Sequence, residues 1–372
     1  MRLTGVEVRL VVLELAEPLV AAHATVRERP LVLVRVLTDA AEGWGECAAL
    51  AEPTYTAEYA AGAFAVLVDH LVPRLLAPRP PASVQEALAR LEQVVGHPMA
   101  KAAIEMALLD AGLRAEGRSL AEHLGAVERR VVAGATIGLG APAQVLAAAD
   151  AAVAAGYRRL KCKIAPGREW ALLEGVRARH PEVALVADAN GSYRLGDPRQ
   201  RRALERLDRL GLAALEQPLA PDDLLGHAEL TASLETPVVL DESVTSLGVL
   251  DSAIALRACR GVVVKPARLG GLLAARRVHA RCVEAGLALA LGGMLESGLG
   301  RAATLAVGGL GGFSLGSDLG ASDRYFATDL TEAHRLEGGW LEVPAGPGLG
   351  VAPVPERLQA AQLRSWSARP AP

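Results

Sequence analysis

The sequence has few aromatic residues and few cysteines. Phe, Tyr and Trp make up 3% of its 372 residues, which suits a fold whose helices are built mainly from Ala and Leu. The four cysteines lie far apart without a Cys-x-x-Cys pair, at Cys47, Cys162, Cys259 and Cys282. This spacing argues against a disulfide framework and against a zinc site, and it indicates a reducing compartment. We therefore expect a cytoplasmic protein.

The sequence also lacks a large excess of charge and a long apolar run. Its 39 Lys and Arg residues nearly balance its 42 Asp and Glu residues, so we expect neither nucleic acid nor an anionic membrane as a partner. No run of about 18 apolar residues is free of glycine clusters, so no membrane-spanning helix is expected. The first 15 residues alternate and carry Arg2, Glu7 and Arg9, which is typical of a strand and not of a signal peptide.

Apolar residues make up 51% of the chain, enough for a large buried core. A prior of about 150 residues per domain allows two or three domains. Residues 1–46 alternate as antiparallel strands do, and residues 56–123 carry apolar side chains at helical spacing. We therefore expect residues 1–125 to form an α+β capping domain.

Two loops of this capping domain are candidates for setting substrate preference. The link between the first two strands, residues 16–29, is long for a hairpin, and a loop of this length is either functional or disordered. Its His23 is more often a solvent-exposed loop histidine than a catalytic one, and both interpretations stay open. Residues 50–56, which include Tyr55, are expected to help cover a site without contributing catalytic groups.

Residues 161–265 repeat one pattern, in which a short apolar run ends in a charged residue. The runs end at Lys163, Asp188, Glu216, Asp241 and Lys265. The spacings are 25, 28, 25 and 24 residues, which fit one strand, one helix and two short loops each. Such units predict a parallel β/α barrel over residues 126–322, with residues 323–372 returning to the cap. The carboxyl ends of the strands then meet at one mouth, where barrel active sites lie.

Three successive strand ends carry the carboxylates Asp188, Glu216 and Asp241. Carboxylates this close repel each other unless a cation joins them. Carboxylate oxygens without His or Cys suit Mg²⁺ or Mn²⁺. A single acid could pair with a barrel lysine or cap a helix instead, but three in consecutive units favour a metal site.

Lysines complete the predicted ring of charges. Lys161 and Lys163 are two residues apart on a strand, so both project into the barrel while Cys162 points away. A second ammonium group and a nearby divalent cation favour the uncharged form of Lys163, which suits a base. Lys265 follows three units later, roughly across the ring, so the two lysines could address both faces of one carbon. The alternative is that these lysines extend into solvent at the strand ends.

Other residues are candidates for binding substrate at this mouth. Asn190 shares the face of Asp188, where it could contact metal or substrate or cap a turn. Residues 292–298 follow the seventh strand, where amides before a helix can hold an anion. Arg268 could support Lys265 or cap the following loop. The expected substrate contacts are Lys161, Asn190, Thr136, Gly293, Met294, Ser297 and Tyr55.

These residues resemble the enolase superfamily, and within it the muconate-lactonizing-enzyme subgroup. The matching motifs are Lys161-Cys162-Lys163, Asp188-Ala189-Asn190, Glu216-Gln217-Pro218, Asp241-Glu242-Ser243 and Lys265-Pro266. The resemblance covers essentially the whole chain. It implies an α/β fold, a modified TIM (β/α)7β-type barrel with an N-terminal α+β capping domain. It also implies a catalytic pair, Lys163 and Lys265, and Mg²⁺ or Mn²⁺ bound by Asp188, Glu216 and Asp241.

More narrowly, the segments EGWGECAAL, KPARLGG, GGMLESGLGRAA and SDLGASDRYFATDLTE look like o-succinylbenzoate synthases that also racemise N-acylamino acids. That resemblance implies a syn dehydration of 2-succinyl-6-hydroxy-2,4-cyclohexadiene-1-carboxylate in menaquinone biosynthesis. Lys163 would remove the α-proton, the metal would hold the enediolate, and Lys265 would stabilise it electrostatically. The alternative is an N-succinyl- or N-acylamino acid racemase, or a dipeptide epimerase, with the same lysines. A small-molecule carboxylate substrate and a homo-oligomer are expected.

Overall fold

The structure, a computed structural model, describes residues 2–20, 25–77, 81 and 83–370. Its N-terminal part is an antiparallel sheet in the order β13-β1-β2-β3. The strands are β1 (Leu3–Val20), β2 (Thr25–Thr38), β3 (Glu42–Cys47) and, from the other end of the chain, β13 (Gln362–Ala368). Strand β2 alternates between two cores, because Val32 and Val34 pack with the cap helices while Leu31 and Leu33 join the core that includes the barrel. The cap sheet is therefore buried on both faces at its centre.

The predicted loop over residues 16–29 is wrong for most of its length. Strand β1 continues to Val20, β2 begins at Thr25, and Leu19 pairs with Val26. The register shifts between Glu14 and Leu19, and this irregular stretch contains Pro18. The pairing of β13 with β1 ends at Val11, and the hydrogen bonds between β1 and residues 325–327 end at Ala16. Pro18 therefore lies beyond both contacts, where its missing N–H is tolerated. His23 lies outside the described residues.

Helices cover the cap sheet as the periodicity predicts. They are α1 (Ala60–Val66), a π-helical turn (Leu67–Leu71), α2 (Val72–Leu75), α3 (Val84–Leu91), α4 (Pro98–Glu116) and α5 (Leu120–Leu124). Ser83 accepts the N–H of Glu86 to cap α3, and Ser119 forms a capping box with Glu122 on α5. The long helix α4 packs on β3 at glycines, since a Cβ at Gly45 would lie 1.9 Å from the carbonyl oxygen of Ala103.

The second part of the chain is a curled parallel sheet of seven strands, which confirms the predicted α/β fold. In order around the sheet the strands are β5 (Gly134–Ile137), β6 (Arg159–Lys163), β7 (Ala184–Asp188), β8 (Ala214–Glu216), β9 (Val238–Leu240), β10 (Gly261–Val264) and β11 (Ala288–Leu291). The intervening helices are α6 (Pro142–Ala154), α7 (Glu169–Arg179), α8 (Pro198–Leu207), α9 (Leu224–Ser233), α10 (Leu247–Ala255), α11 (Leu272–Glu284) and α12 (Gly298–Gly308). None of the helices in the described ranges is long and apolar enough to cross a membrane.

Small side chains fill the inside of this sheet and larger ones face the helices. The inner layer is Val186, Ala214, Val239, Val263 and Ala290. On β6, Leu160 and Cys162 join the outer core between strands and helices. The side chains of a strand alternate, so Lys161 and Lys163 project toward the inside.

The predicted eighth strand, FSLGS, is not a regular strand. Ser317 forms a single parallel bridge with Leu291, and it donates its N–H to the carbonyl of Val132. Gly134 donates to the carbonyl of Leu319 and lies so close that a Cβ there would be 2.0 Å from the Ser317 carbonyl oxygen. The segment 315–319 thus closes the barrel through backbone hydrogen bonds on both sides, without regular strand geometry, and the φ of 70° at Gly316 interrupts its extended backbone.

The ends of the barrel connect to short antiparallel pairs. Strand β4 (Arg130–Val132) pairs with β12 (Trp340–Glu342) and not with the barrel sheet. The chain then forms α13 (Pro355–Ala361) and β13, which pairs with β1 from Val6 to Val11. The C-terminal segment thereby contacts the cap sheet.

Candidate active site

The five charged residues predicted from the repeat lie at one mouth of the barrel. Lys163, Asp188 and Glu216 end β6, β7 and β8, and the parallel register sets Lys163 beside Asp188 and Asp188 beside Glu216. Asp241 and Lys265 follow directly after β9 and β10. The carboxyl ends of parallel strands share one edge of a sheet, so these side chains converge.

Lys161 is the buried centre of the charged cluster. Its Nζ lies 2.6 Å from Asp318 Oδ2, 2.8 Å from Glu216 Oε1 and 3.3 Å from Asp188 Oδ2. Although burial acts to lower it, these carboxylates raise the pKa of Lys161 well above its ordinary value. Lys161 therefore stays charged and holds three carboxylates together.

Asp318, in the segment that closes the barrel, was missed from the sequence. Its Oδ1 accepts Arg159 Nη1 at 2.6 Å, and its Oδ2 accepts Lys161. Burial acts to raise the pKa of this carboxyl, but Lys161 and Arg159 hold it below its ordinary value. The one available signal was an acid directly after the last predicted strand, and its distance in sequence from Lys161 hid the pairing.

The carboxylates of the mouth differ in their charge environment. Burial alone would raise the pKa of Asp188, yet Lys163 and Lys161 lower it below its ordinary value. Burial raises the pKa of Glu216 well above its ordinary value in spite of Lys161, because Asp188 and Asp318 add negative charge nearby. Glu216 therefore keeps a proton more readily than an exposed glutamate, and a cation bound beside it would favour its charged form.

Lys265 is held by several groups on its side of the mouth. Its Nζ lies 2.6 Å from Asp241 Oδ2 and donates to Tyr55 Oη at 2.9 Å. Arg268 donates to the backbone carbonyl of Asp241 and to Tyr55 Oη. Burial acts to raise the pKa of Asp241, but Lys265 and Arg268 lower it to about 2. Although burial acts in the opposite direction, Asp241 raises the pKa of Lys265 above its ordinary value.

Lys163 is held more loosely. Its side chain is 22% exposed, against 8% for Lys265. Its Nζ lies 3.4 Å from Asp188 Oδ2 and donates to Asn190 Oδ1. Asn190 in turn donates from Nδ2 to Glu242 Oε1 at 2.8 Å. Glu242 belongs to the Asp241-Glu242-Ser243 motif but was not among the predicted site residues.

Gln217, directly after Glu216, fixes the strand ends on which the acids lie. Its Oε1 accepts the backbone N–H groups of Asp241 at 3.0 Å and Ser243 at 3.2 Å. Its backbone has a φ of 38°, a conformation that L-residues rarely adopt. The network joins the ends of β8 and β9, so it orients Glu216 and Asp241 without contacting the lysines.

The remaining predicted substrate contacts are Thr136, Gly293, Met294 and Ser297. Thr136 on β5 pairs in register with Lys161 and is half-buried, at the mouth. Gly293 follows β11, and Met294 is buried with the cap core. Ser297 is not brought to the lysines: it caps α12 and donates its hydroxyl to Glu46 of the cap.

The donor set of the mouth fits a divalent cation in its chemistry. Asp188, Glu216 and Asp241 supply carboxylate oxygens, and Asp241 Oδ1 is buried without a hydrogen-bond partner among the described residues, although Arg268 Nη1 lies 3.3 Å away. As the side chains stand, no group of three or more acids, His or Cys in the described ranges has the geometry of a metal site. Each of the three carboxylates contacts an ammonium group of Lys161, Lys163 or Lys265 instead.

Two family models match the chain. Residues 3–125 match the mandelate racemase / muconate lactonizing enzyme N-terminal domain, and residues 144–357 match the enolase C-terminal domain-like model. The chain is also similar in structure to an enolase superfamily member from Listeria innocua, with a TM-score of 0.94, 31% identity and 100% of both chains covered.

Relatives with two different names match almost the whole chain. An N-succinylamino acid racemase from Amycolatopsis is 47% identical, over 96% of this chain and 97% of its own length. An o-succinylbenzoate synthase from Geobacillus kaustophilus is 38% identical, over 91% of this chain and 90% of its own length. The two names describe a racemase and a synthase of similar sequence.

Proposed function

Because this chain belongs to the enolase superfamily, with the N-terminal domain of the mandelate racemase and muconate lactonizing enzyme group, we propose that it removes a proton from the carbon next to a substrate carboxylate. Lys163 and Lys265 are the proposed acid–base groups. Their ammonium or amine nitrogens lie at one mouth with three strand-end carboxylates, and proton transfer by positioned side chains contributes roughly 10² to 10⁴ in rate.

The first specific reaction that we propose is the synthesis of o-succinylbenzoate. Lys163 takes the α-proton of 2-succinyl-6-hydroxy-2,4-cyclohexadiene-1-carboxylate, and its ammonium then protonates the departing hydroxyl on the same face. The C–H and C–O bonds break, the ring becomes aromatic and water leaves. Lys265 stays charged throughout and stabilises the negative charge on the substrate.

The observation that carries this assignment is the unequal support of the two lysines. Lys265 is nearly enclosed and paired with Asp241 at 2.6 Å, which suits a fixed positive charge. Lys163 is more exposed and lies 3.4 Å from Asp188, which suits a group that must give up and regain a proton. A syn dehydration needs one mobile acid–base group on one face, so this asymmetry favours it.

Mg²⁺ is the proposed cofactor, with Mn²⁺ as a substitute, held by Asp188, Glu216 and Asp241. When bound, it supplies positive charge for the substrate carboxylate as negative charge develops there. The convergence of Asp188, Glu216 and Asp241 at one mouth and the absence of a hydrogen bond to Asp241 Oδ1 among the described residues support this proposal. Treating the enzyme with a chelator should abolish turnover, and adding Mg²⁺ or Mn²⁺ should restore it. Full activity of a verified metal-free protein would contradict the proposal.

The second candidate is racemisation of N-succinylamino acids. Two observations favour it: the similarity to a racemase at 47% identity, and the presence of a second lysine, Lys265, at the same mouth. One lysine would remove the α-proton from one face, and the other would deliver a proton to the opposite face. Both candidate substrates carry a succinyl group, so one pocket can accept them.

A direct comparison of the two substrates decides between these reactions. We would measure kcat/KM for the cyclohexadiene carboxylate and for N-succinylphenylglycine with the same Mg²⁺-loaded enzyme. We expect a higher kcat/KM for dehydration, since Lys265 is held as a charge. A kcat/KM for racemisation that exceeds it by tenfold or more would assign the racemase as the main activity.

We also propose a cytoplasmic location and a homo-oligomeric assembly. All four cysteines are free and buried, which supports a reducing, cytoplasmic location. We propose a homo-oligomer, and light scattering of the purified protein would test it by giving a mass that is a multiple of 38.7 kDa.

A further inference from the structure

Lys163 is the near end of a three-residue chain of hydrogen bonds that crosses the barrel mouth. Lys163 Nζ donates to Asn190 Oδ1, and Asn190 Nδ2 donates to Glu242 Oε1 at 2.8 Å. The chain joins the ends of β6, β7 and β9, and β8 lies between the last two in the sheet order. Glu242 is therefore linked to Lys163 through Asn190, and no hydrogen bond or ion pair among the described residues joins the two side chains directly.

Because the two ends of an amide differ, Glu242 determines which end of the Asn190 side chain faces Lys163. An ammonium group is a donor only, so Lys163 can be held only by the Oδ1 end of the amide. The Nδ2 end then needs an acceptor, and Glu242 supplies it. Without an acceptor there, a flip of the amide by 180° would direct NH₂ toward NH₃⁺ and remove the hydrogen bond to Lys163.

The backbone of Asn190 is fixed independently of Glu242. Its N–H donates to Asp188 Oδ1 at 3.0 Å, and its φ is 42°. Only the side-chain amide is therefore left to be oriented. This separation means that loss of Glu242 should change the direction of the amide and leave the loop in position.

Among the described residues, Asn190 is the hydrogen-bond partner of Glu242, while Asp241, Lys265 and Asp188 act on it through charge. None of the ion pairs among the described residues includes it, and its Oε2 is buried without a hydrogen-bond partner there. A carboxylate oxygen in the interior is costly unless it is hydrogen-bonded, and among the described residues the side chain of Glu242 accepts its hydrogen bond from Asn190. The geometry thus gives Glu242 one hydrogen-bond partner there, and that partner holds the proposed base.

We propose that Glu242 is a positioning residue for Lys163, acting through Asn190 by accepting its amide. This inference rests on the proposed function, in which Lys163 exchanges protons with one face of the substrate. It assigns Glu242 to the hydrogen-bonded support of Lys163; toward Lys265, which Asp241 and Tyr55 hold, Glu242 acts through its charge and not through a hydrogen bond.

Exchange of the α-proton in D₂O separates the two faces. Each enantiomer of N-succinylphenylglycine is incubated with the Mg²⁺-loaded enzyme, and Lys163→Ala and Lys265→Ala identify which enantiomer each lysine serves. Glu242→Ala should slow exchange of the Lys163 enantiomer about tenfold and leave the other within about twofold. Tyr55→Phe is the matched control, and it should slow the opposite enantiomer.

Two further variants test whether Glu242 acts as a hydrogen-bond acceptor, as a charge or as a merely structural residue. Glu242→Gln keeps an acceptor oxygen and should restore exchange to within about threefold of the natural protein. The double variant Asn190→Ala/Glu242→Ala should be no slower than Asn190→Ala alone, because Glu242 acts through Asn190. A thermal melt of each variant shows whether it is folded.

Several results would overturn the inference. Equal slowing of both enantiomers by Glu242→Ala would mean that the residue supports the whole mouth and not Lys163. If Glu242→Gln exchanged the α-proton as slowly as Glu242→Ala, the charge of Glu242 would matter and its role as a hydrogen-bond acceptor would not. If the natural enzyme exchanges neither enantiomer, the proposed function fails and this inference fails with it.

Discussion

The buried carboxylates of the barrel mouth and those of the seam between cap and barrel have different partners. In the mouth, Asp188, Glu216 and Asp241 face ammonium groups. In the cap seam, which we define as Arg29, Glu46 and Glu105 with the barrel segments 271–273 and 294–300, the partners are mainly backbone groups. Both regions bury charge, but the mouth pairs it mainly with lysine side chains and the seam mainly with backbone groups.

The cap seam uses side chains of the cap to satisfy the backbone of the barrel. Glu46 accepts the N–H groups of Ser297 at 3.1 Å and Gly300 at 3.3 Å, at the N-terminus of α12. Glu105 in the same way accepts the N–H groups at the start of α11, at Leu272 and Leu273. These positions satisfy helix donors that would otherwise lack partners.

Arg29 is the positive counterpart in the seam. Its guanidinium is fully buried and donates to four carbonyl oxygens besides its neighbour's, those of Ala48, Ala49, Met294 and Leu295. It thereby ties the loop after β3 to the loop after β11. The sequence offered no signal for it, since Arg29 lay at the end of the segment predicted to be a loop.

This difference in partners indicates which region can carry out catalysis. A carboxylate that faces an ammonium group can exchange that partner for a metal ion or a substrate without disturbing the backbone. A carboxylate that holds helix N–H groups cannot, because its partners are part of the fold. We therefore expect changes in the mouth to reduce turnover and changes in the seam to reduce stability.

The largest expected effect is at the lysines of the mouth. Lys163→Ala and Lys265→Ala should each lower the rate of racemisation by roughly 10³ or more, within the range for acid–base groups, with little change in thermal stability. Each variant should still exchange the α-proton of a single enantiomer in D₂O, and the enantiomer should differ between them. Equal exchange of both enantiomers by either variant would remove the assignment of the lysines to opposite faces.

Arg29→Ala should produce the largest effect in the seam. It leaves several buried carbonyl oxygens without a donor, so we expect a loss of about 3 kcal/mol in the free energy of unfolding. Urea unfolding measures this loss. The kcat of the folded fraction, measured at low temperature, should fall by a smaller factor than the folding equilibrium constant. A collapse of kcat with unchanged stability would reverse the comparison.

In the seam, the titration of Glu46 should make the stability of the folded protein depend on pH. Burial raises its pKa to about 7 from an ordinary 4.5, with Glu296 adding to the rise and Ser297 opposing it. Between these values the folded protein keeps a proton that the unfolded chain has released. The stabilising contribution is therefore complete below pH about 4.5 and is lost as pH rises through about 7.

Glu46→Gln should remove this dependence, since the amide keeps an acceptor but does not titrate. The stability of the natural protein should fall relative to the variant by about 3 kcal/mol between pH 4.5 and 7. Urea unfolding at several pH values gives both curves. Parallel curves would show that Glu46 is not the titrating group.

The smallest expected effect is at the point where the cap touches the mouth. Tyr55→Phe removes a hydroxyl that contacts Lys265 and Asp241, while Asp241, to which Arg268 donates, continues to hold the lysine. We expect kcat/KM to fall by about threefold to tenfold, the worth of one hydrogen bond of roughly 1 kcal/mol. A loss of 10³ or more would mean that the cap contributes a catalytic group after all.

The repeat of apolar runs ending in charge was sufficient to predict the barrel and to bring five residues to one mouth. The reason is local: a strand's alternation and its carboxyl end determine where Lys163, Asp188 and Glu216 project. The same rule separated Lys161 from Cys162. These features depend on a few consecutive residues, and a single sequence contains them.

The partners of those residues were decided only by the tertiary structure. Asp318 pairs with Lys161 from 157 residues away, and Tyr55 reaches Lys265 from 210 residues away. No local period records such pairs, because they arise when the barrel closes and the cap is set over its mouth. The extension of β1 and β2 into the predicted loop has the same cause: the hydrogen bonds of a strand come from its neighbour, and the sequence of one strand alone does not contain that neighbour.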